Sequence, residues 1–228
     1  MASDDNGLNL QKTQITGIQN IADNQNIYGS AGNWGQSLVG AVYGKYGETT
    51  RRGMNFSARS GTAASIPVNS AISNSPTLWN PASSGVVVFL QKINLSQAAL
   101  GTPVIQGFTL GYVLSTGDAA GTNLPLATFT PITPINNLLG KGSAAKAKFA
   151  HATVTFTANP PAFMDIGLGM EVDGVAAYAA PYQLTFDLDG MLVLPPGTAV
   201  VLGSATAASS MTYWVTYTWS ELPTPLGF

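Results

Sequence analysis

Side chains that commonly carry catalysis or bind metals are scarce in this chain. The 228 residues contain one histidine, His151, and no cysteine. Within one chain, this composition excludes a catalytic triad built on a second histidine, a multi-histidine or thiolate metal site, and a cysteine nucleophile. No motif supplies a serine and a carboxylate to work with His151. We therefore interpret this residue as a side chain at the start of a strand that covers His151–Thr157.

The carboxylates come closest to forming a site with chemistry of its own. The sequence Asp187-Leu188-Asp189-Gly190 resembles the opening of a calcium loop, but Met191 stands at the next ligand position and no glutamate follows at the required spacing. We expect the two aspartates to flank a turn in which Gly190 adopts a positive φ. A looser acidic group, interpreted as a solvated loop, comprises Asp165, Glu171 and Asp173. We predict no catalytic residue, no metal site, no cofactor and no enzymatic activity.

Charged residues are unusually few. Only 9% of the residues are Asp, Glu, Lys or Arg, against roughly 25% in an ordinary soluble domain. Protein interfaces are depleted in charge in the same way, so we interpret the low charge as extensive contact between subunits. The alternative is a polar but uncharged surface, as in many secreted β proteins.

The charges that are present are unevenly distributed. All nine basic residues lie within residues 1–148, whereas residues 149–228 contain six acids and no local cationic partner for them. Such a separation suits head-to-tail docking between neighbouring subunits. We predict a subunit contact that includes Arg51, Arg52, Arg59, Trp34 and Trp214. Direct nucleic-acid binding is not expected of a chain with a net charge of −2.

The composition changes near residue 45. Residues 1–44 are rich in Asn, Gln, Gly and Ser and contain only isolated apolar residues, so we predict an extended N-terminal arm. A short helix at Trp34–Tyr43 is weakened by three glycines. No stretch approaches 18 apolar residues and the acidic start shows no targeting pattern, so we expect no membrane association and synthesis in the cytoplasm.

Residues 45–228 are predicted to form one all-β domain. A first strand is expected at Thr49–Ala58, and the apolar run Gly85–Leu95 indicates a central strand. Strict alternation from Met211 to Trp219 indicates a final strand with one buried face. Short strands at this spacing predict an antiparallel two-sheet sandwich, and the long connection after the first strands favours a jelly roll.

Three motifs stand at turns or ends of the predicted strands. An L-x-N-P-x-x-S-G turn before a central strand is matched by Leu78, Asn80, Pro81, Ser84 and Gly85. A PPG turn before the penultimate strand is matched by Pro195, Pro196 and Gly197. A final strand ending in W-x-E-hydrophobic-P is matched by Trp219, Glu221, Leu222 and Pro223. These three motifs resemble those of jelly-roll structural proteins of tailed-bacteriophage virions, and the likeness covers roughly residues 49–223.

The resemblance implies a virion component that acts without catalysis. As a capsid decoration or cement protein it would stabilise the particle through subunit contacts, as a homotrimer bound to the major capsid protein or to other virion proteins. The alternative, with the same fold, is a tail or head-fibre protein that binds a host receptor or glycan.

Overall fold

The computed structural model describes residues 30–31, 37–38, 45–68, 75–99, 107–114, 117, 126–140, 142–168, 183–205 and 212–224. The chain divides into two compact units, residues 1–47 and 48–228. In the first unit, β1 (Ser30–Ala31) pairs antiparallel with β2 (Ser37–Leu38). The short helix considered at Trp34–Tyr43 is therefore contradicted at Ser37–Leu38, because these two residues form a strand. The other residues of that helix, Trp34 among them, and most of the expected arm lie outside the described residues.

A five-residue helix, α1 (Gly47–Arg51), occupies the first part of the strand predicted over Thr49–Ala58. Glu48 stands three and four residues before Arg51 and Arg52, and its carboxylate accepts hydrogen bonds from both guanidinium groups. Pairs at this spacing stabilise a helical turn. The predicted strand is therefore correct only from residue 55 onward.

Twelve strands follow α1 in the described part of the second unit. They are β3 (Asn55–Arg59), β4 (Thr77–Asn80), β5 (Val86–Ala99), β6 (Gly107–Leu114), β7 (Leu126–Phe129), β8 (Ile135–Asn136), β9 (Lys148–Ala150), β10 (Val154–Phe156), β11 (Ala162–Leu168), β12 (Gln183–Leu194), β13 (Thr198–Ser204) and β14 (Thr212–Pro223). Two five-stranded sheets have the orders β11-β6-β13-β4-β9 and β12-β5-β14-β3-β8, and β7 pairs with β10.

The strand pairing is that of a long hairpin rolled up on itself. β3 pairs with β14, β4 with β13, β5 with β12 and β6 with β11, each antiparallel. Rolling such a hairpin sends successive pairs to alternate sheets, and the result is a jelly roll. The prediction of an all-β antiparallel jelly-roll sandwich is therefore confirmed.

Alternation along β14 builds much of the core between the sheets. Tyr213, Val215, Tyr217 and Trp219 are buried, as the sequence pattern predicts. The ring of Tyr217 packs against that of Phe149 from the opposite sheet, with centroids 5.1 Å apart. The Tyr217 hydroxyl donates to the carbonyl of Pro76 at 3.3 Å, and burial raises the pKa of this phenol well above its ordinary value. The two sheets are thus joined by large apolar and aromatic side chains.

The paired strands β7 and β10 pack on the outer face of the sheet that contains β4. Trp79 of β4 packs edge-on against Phe129 of β7, with centroids 5.4 Å apart. The same apolar cluster includes Val154 and Phe156 of β10. The strand predicted over His151–Thr157 is reduced to β10, because the chain bends at Ala152, whose φ is +64°. This face of the sandwich is therefore covered by the chain itself.

Candidate interaction surfaces

His151 directly follows β9 and is buried, with 4% of its surface exposed. Burial lowers the pKa of the imidazole to about 4, although the nearby Ser65 backbone acts in the opposite direction. The side chain is therefore neutral near pH 7 and is enclosed in the fold. Within the described ranges, no three His, Asp or Glu residues are close enough together to hold a metal ion.

Asp187 lies opposite Lys92 in the antiparallel pair of β12 and β5. Its carboxylate is 3.0 Å from the Lys92 ammonium, and both side chains are more than a third exposed. The prediction that the later acids have no local cationic partner is therefore wrong for Asp187. The partner was missed because strand register joins residues that are far apart in sequence.

Asp189 and Gly190 lie in a bulge within β12, where φ is +53° and +80° respectively. The register with β5 shifts between Asp187 and Leu192, so the extra residues of β12 loop away from the ladder. The positive φ expected at Gly190 is confirmed. The turn itself is a bulge inside one strand rather than a connection between two strands.

The arginines of the predicted subunit contact have partners within the chain. Arg51 and Arg52 both bind the carboxylate of Glu48, at 2.9 Å and 2.7 Å. The hydrogen bond from Arg51, followed by the smaller effect of that from Arg52, lowers the pKa of Glu48 to about 2. The Arg59 guanidinium lies 4.2 Å from the ring centroid of Trp214. The structure thus brings Arg59 and Trp214 together and places Arg51 and Arg52 on α1, and a subunit contact at these residues stays a prediction.

The motif residues have roles inside the fold. The side-chain NH₂ of Asn80 donates to the carbonyls of Val86 and Leu194, and the backbone carbonyl of Asn80 accepts from the N–H of Gly197 in the PPG turn. The first two motifs therefore meet at one end of the sandwich. In the third motif, the carboxylate of Glu221 accepts from the Trp219 indole N–H at 3.0 Å.

Two lateral sides of the sandwich differ in strands, charge and shape. We call them the β8/β9 side and the β11/β12 side, after the outermost strands of the two sheets. On the β8/β9 side, Ile135 is 63% exposed and Leu139 is 78% exposed. On the β11/β12 side, Tyr112, Phe163 and Val193 are each 47% exposed. Large apolar side chains are thus exposed on both lateral sides.

A pocket of about 400 Å³ lies next to β11 and β12, where β12 turns into β13. It is lined by Tyr112, Phe163, residues 192–195 and residues 198–200. The rings of Tyr112 and Phe163 contact each other edge-on with centroids 6.0 Å apart. Among the described lining residues, Tyr112 and Thr198 have the side-chain hydroxyls, and Thr198 already donates to the carbonyl of Pro195 at 2.7 Å. The pocket is therefore suited to an apolar group.

The fold and these surfaces define the chain as an antiparallel jelly-roll sandwich with exposed apolar lateral sides. Comparison with protein-family models, with curated proteins and with solved structures found no match for it. In the part of the chain that the structure describes, no helix is both long enough and apolar enough to span a bilayer.

Proposed function

We propose that this chain is a non-enzymatic structural protein of a tailed-phage particle: a homotrimeric capsid decoration or cement protein. Each subunit stabilises the particle by burying surface against its copies and against the major capsid protein or another virion protein. A buried area of about 1,600 Å² is typical of specific attachment, and symmetric repetition adds avidity. The protein is made in the host cytoplasm and resides in the virion.

The observation that carries this proposal is the pair of apolar lateral sides in a chain with only 9% charged residues. Exposed apolar residues that occur singly are ordinary, whereas clusters of them mark protein contacts. Leu139, at 78% exposure, gains most from being covered. The jelly-roll topology supports the resemblance to virion structural proteins, because the motifs that carry it hold this fold together.

The test is to locate the protein in an assembled particle by electron microscopy and to measure its mass by light scattering. We expect density on the capsid surface and a trimer at micromolar concentration. Removal of residues 1–40 should leave a folded β domain that attaches to the particle more weakly. A monomer that is absent from the particle would contradict the proposal.

A second candidate is a tail or head-fibre protein that binds a host receptor or glycan. The observation that favours it is the exposed Tyr112–Phe163 ring pair, with the exposed carboxylate of Asp165 on the same strand as Phe163. Sugar sites also need several convergent polar groups, which the pocket lining lacks. A glycan array separates the two candidates, because binding that is lost in Phe163→Ala would favour the receptor role.

A further inference from the structure

We propose that the β8/β9 side of one subunit packs against the β11/β12 side of the next copy, with Leu139 and Ile135 entering the pocket beside Phe163 and Val193. This inference rests on the proposed function, because it names the surfaces through which that oligomer forms. It concerns a heterologous contact, in which two different patches meet and repetition closes a ring.

The strand registers place the two patches at the same height. Ile135 pairs with Ser57, Ser57 with Thr218, Thr218 with Lys92, and Lys92 with Asp187. The next row runs from Asn136 through Phe56, Trp219 and Leu90 to Leu192. The row of the exposed Ile135 therefore ends at Asp187, and the adjacent row, which begins at Asn136, ends at the pocket residue Leu192. A neighbour placed side by side, with its strands level, brings the two ends of these rows together.

The charges of the two sides are complementary. Among the described residues, the β8/β9 side, the adjoining β3 and the segment from α1 to Arg52 have five cations and one carboxylate: Arg51, Arg52, Arg59, Lys146 and Lys148 with Glu48. The buried Glu221 of β14 lies against Lys146 and Ala147. The β11/β12 side and the adjoining β5 have three carboxylates and one cation: Asp165, Asp187 and Asp189 with Lys92. Complementary fields favour head-to-tail approach over contact between like sides.

The outermost strands are poorly suited to joining copies by backbone pairing. On the β8/β9 side, β8 has two residues and β9 has three. On the β11/β12 side, β11 changes register twice against β6, and β12 contains the bulge between Asp187 and Leu192. Short strands and bulges are the features that prevent edge-to-edge sheet extension. A second copy is therefore held by side chains, and the apolar pocket supplies the site for them.

Leu139 is held in position by its own loop. The Asn136 amide donates to the carbonyls of Gly53 and Ser143, and its oxygen accepts from the N–H of Leu138. The side chain of Asn136 thus ties the loop that carries Leu139 to the turn before β3. A preorganised apolar side chain loses less entropy on binding than a free one.

The test uses the full chain, light scattering after gel filtration, and single aspartates on each side. Leu139→Asp alters the β8/β9 side, and Val193→Asp or the more exposed Met191→Asp alters the β11/β12 side. Ala158→Asp, at an exposed site outside the four outermost strands, is the matched control. We expect each edge variant to weaken self-association about 100-fold, the size of a hot-spot loss. Circular dichroism is used to check that each variant is folded.

Mixing the variants decides between a head-to-tail and a two-fold contact. Leu139→Asp keeps an intact β11/β12 side, and Met191→Asp keeps an intact β8/β9 side. An equimolar mixture of these two monomeric variants should therefore form a dimer with one intact contact. A two-fold contact between like patches would show no such rescue, and that result overturns the inference.

Three further outcomes have distinct meanings. If the wild type is oligomeric and the edge variants remain so, the surfaces are wrong and the oligomer of the proposed function stands. If removal of residues 1–40 dissociates the oligomer while the edge variants do not, the arm makes the contact and the inference is overturned. If the wild type is a monomer at all concentrations, both the inference and the proposed trimer fail.

Discussion

Two carboxylates of the same sheet, Glu221 on the central strand β14 and Asp187 on the outermost strand β12, have opposite surroundings. Glu221 is 6% exposed and accepts hydrogen bonds from the backbone N–H groups of Lys146 and Ala147, each at 2.9 Å, as well as from the Trp219 indole. The Asp187 side chain is 56% exposed and lies 3.0 Å from the Lys92 ammonium. The first accepts from neutral donors in the interior, and the second has an ionic partner at the surface.

An ionic partner is therefore a poor guide to the importance of a carboxylate. An exposed ion pair is screened by water and salt and contributes about 1 kcal/mol at most. A buried carboxylate that orders three N–H donors cannot be removed without leaving those donors unsatisfied. We therefore expect Glu221 to stabilise the fold and Asp187 to contribute little to it.

The largest effect is expected from Glu221→Gln. The amide keeps the size of the side chain but turns an N–H₂ group toward at least one of the three donors. We expect the free energy of unfolding to fall by about 3 kcal/mol or more, measured by urea denaturation. Asp187→Asn makes the same chemical change at the surface and is the control. Equal losses in the two variants would contradict the difference drawn between them.

Acidification should weaken the interior near β9 through His151. The pKa of His151 is lowered from 6.5 to about 4 by burial, so between these values the unfolded chain binds a proton that the folded chain does not. The free energy of unfolding should therefore fall as the pH falls through this window, by at most about 1.4 kcal/mol per pH unit. The free energy of unfolding measured between pH 6.5 and pH 5 tests this expectation, because most carboxylates titrate below that range.

His151→Phe provides the control for this pH dependence, because it removes the only histidine. We expect the variant to have a flatter stability profile than the wild type over the same range, whatever its stability at pH 7. Parallel profiles would show that His151 is not the group that titrates.

Gly142→Ala should break the loop that positions Leu139. A Cβ on Gly142 would lie 1.9 Å from Cγ of Asn136, so the Asn136 side chain would have to leave its hydrogen bonds. We expect a loss of about 1 to 3 kcal/mol in thermal or urea unfolding, as for other overpacked sites. Gly61→Ala, where nothing lies within 4 Å of the added Cβ, should be close to neutral. A neutral result at Gly142 would mean that the loop relaxes without cost.

The sequence predicts those parts of the fold that are written in local patterns. Alternation marks the buried face of β14, and the Pro-Pro-Gly turn separates β12 from β13 as expected. The helix α1 was not predicted, because it is stabilised by the ion pairs of Glu48 with Arg51 and Arg52 rather than by a pattern of apolar residues. The bend at Ala152, which shortens the strand predicted over His151–Thr157, left no signal in the alternating pattern.

The candidate surfaces were less predictable because they depend on topology. β8 has two residues, too few for any periodicity, yet it places Ile135 on a lateral side. The pocket is assembled from β6, β11, β12 and β13, which are separated in the chain. The partners of Glu221 include backbone N–H groups, which every sequence position offers except proline.

The smallest effect is expected from neutralising the exposed acids of the bulge, with Asp187→Asn and Asp189→Asn combined. The exposed pair with Lys92 contributes less than about 1 kcal/mol, so the free energy of unfolding should change by no more than that. Asn also tolerates the positive φ of Asp189, so the bulge itself should persist. Added calcium should leave the thermal midpoint of the wild type and of the double variant unchanged, since the ligand pattern of a calcium loop stops at Met191. A calcium-dependent rise in the thermal midpoint of the wild type that is lost in the double variant would contradict this expectation. It would show that the two aspartates of the bulge bind the ion.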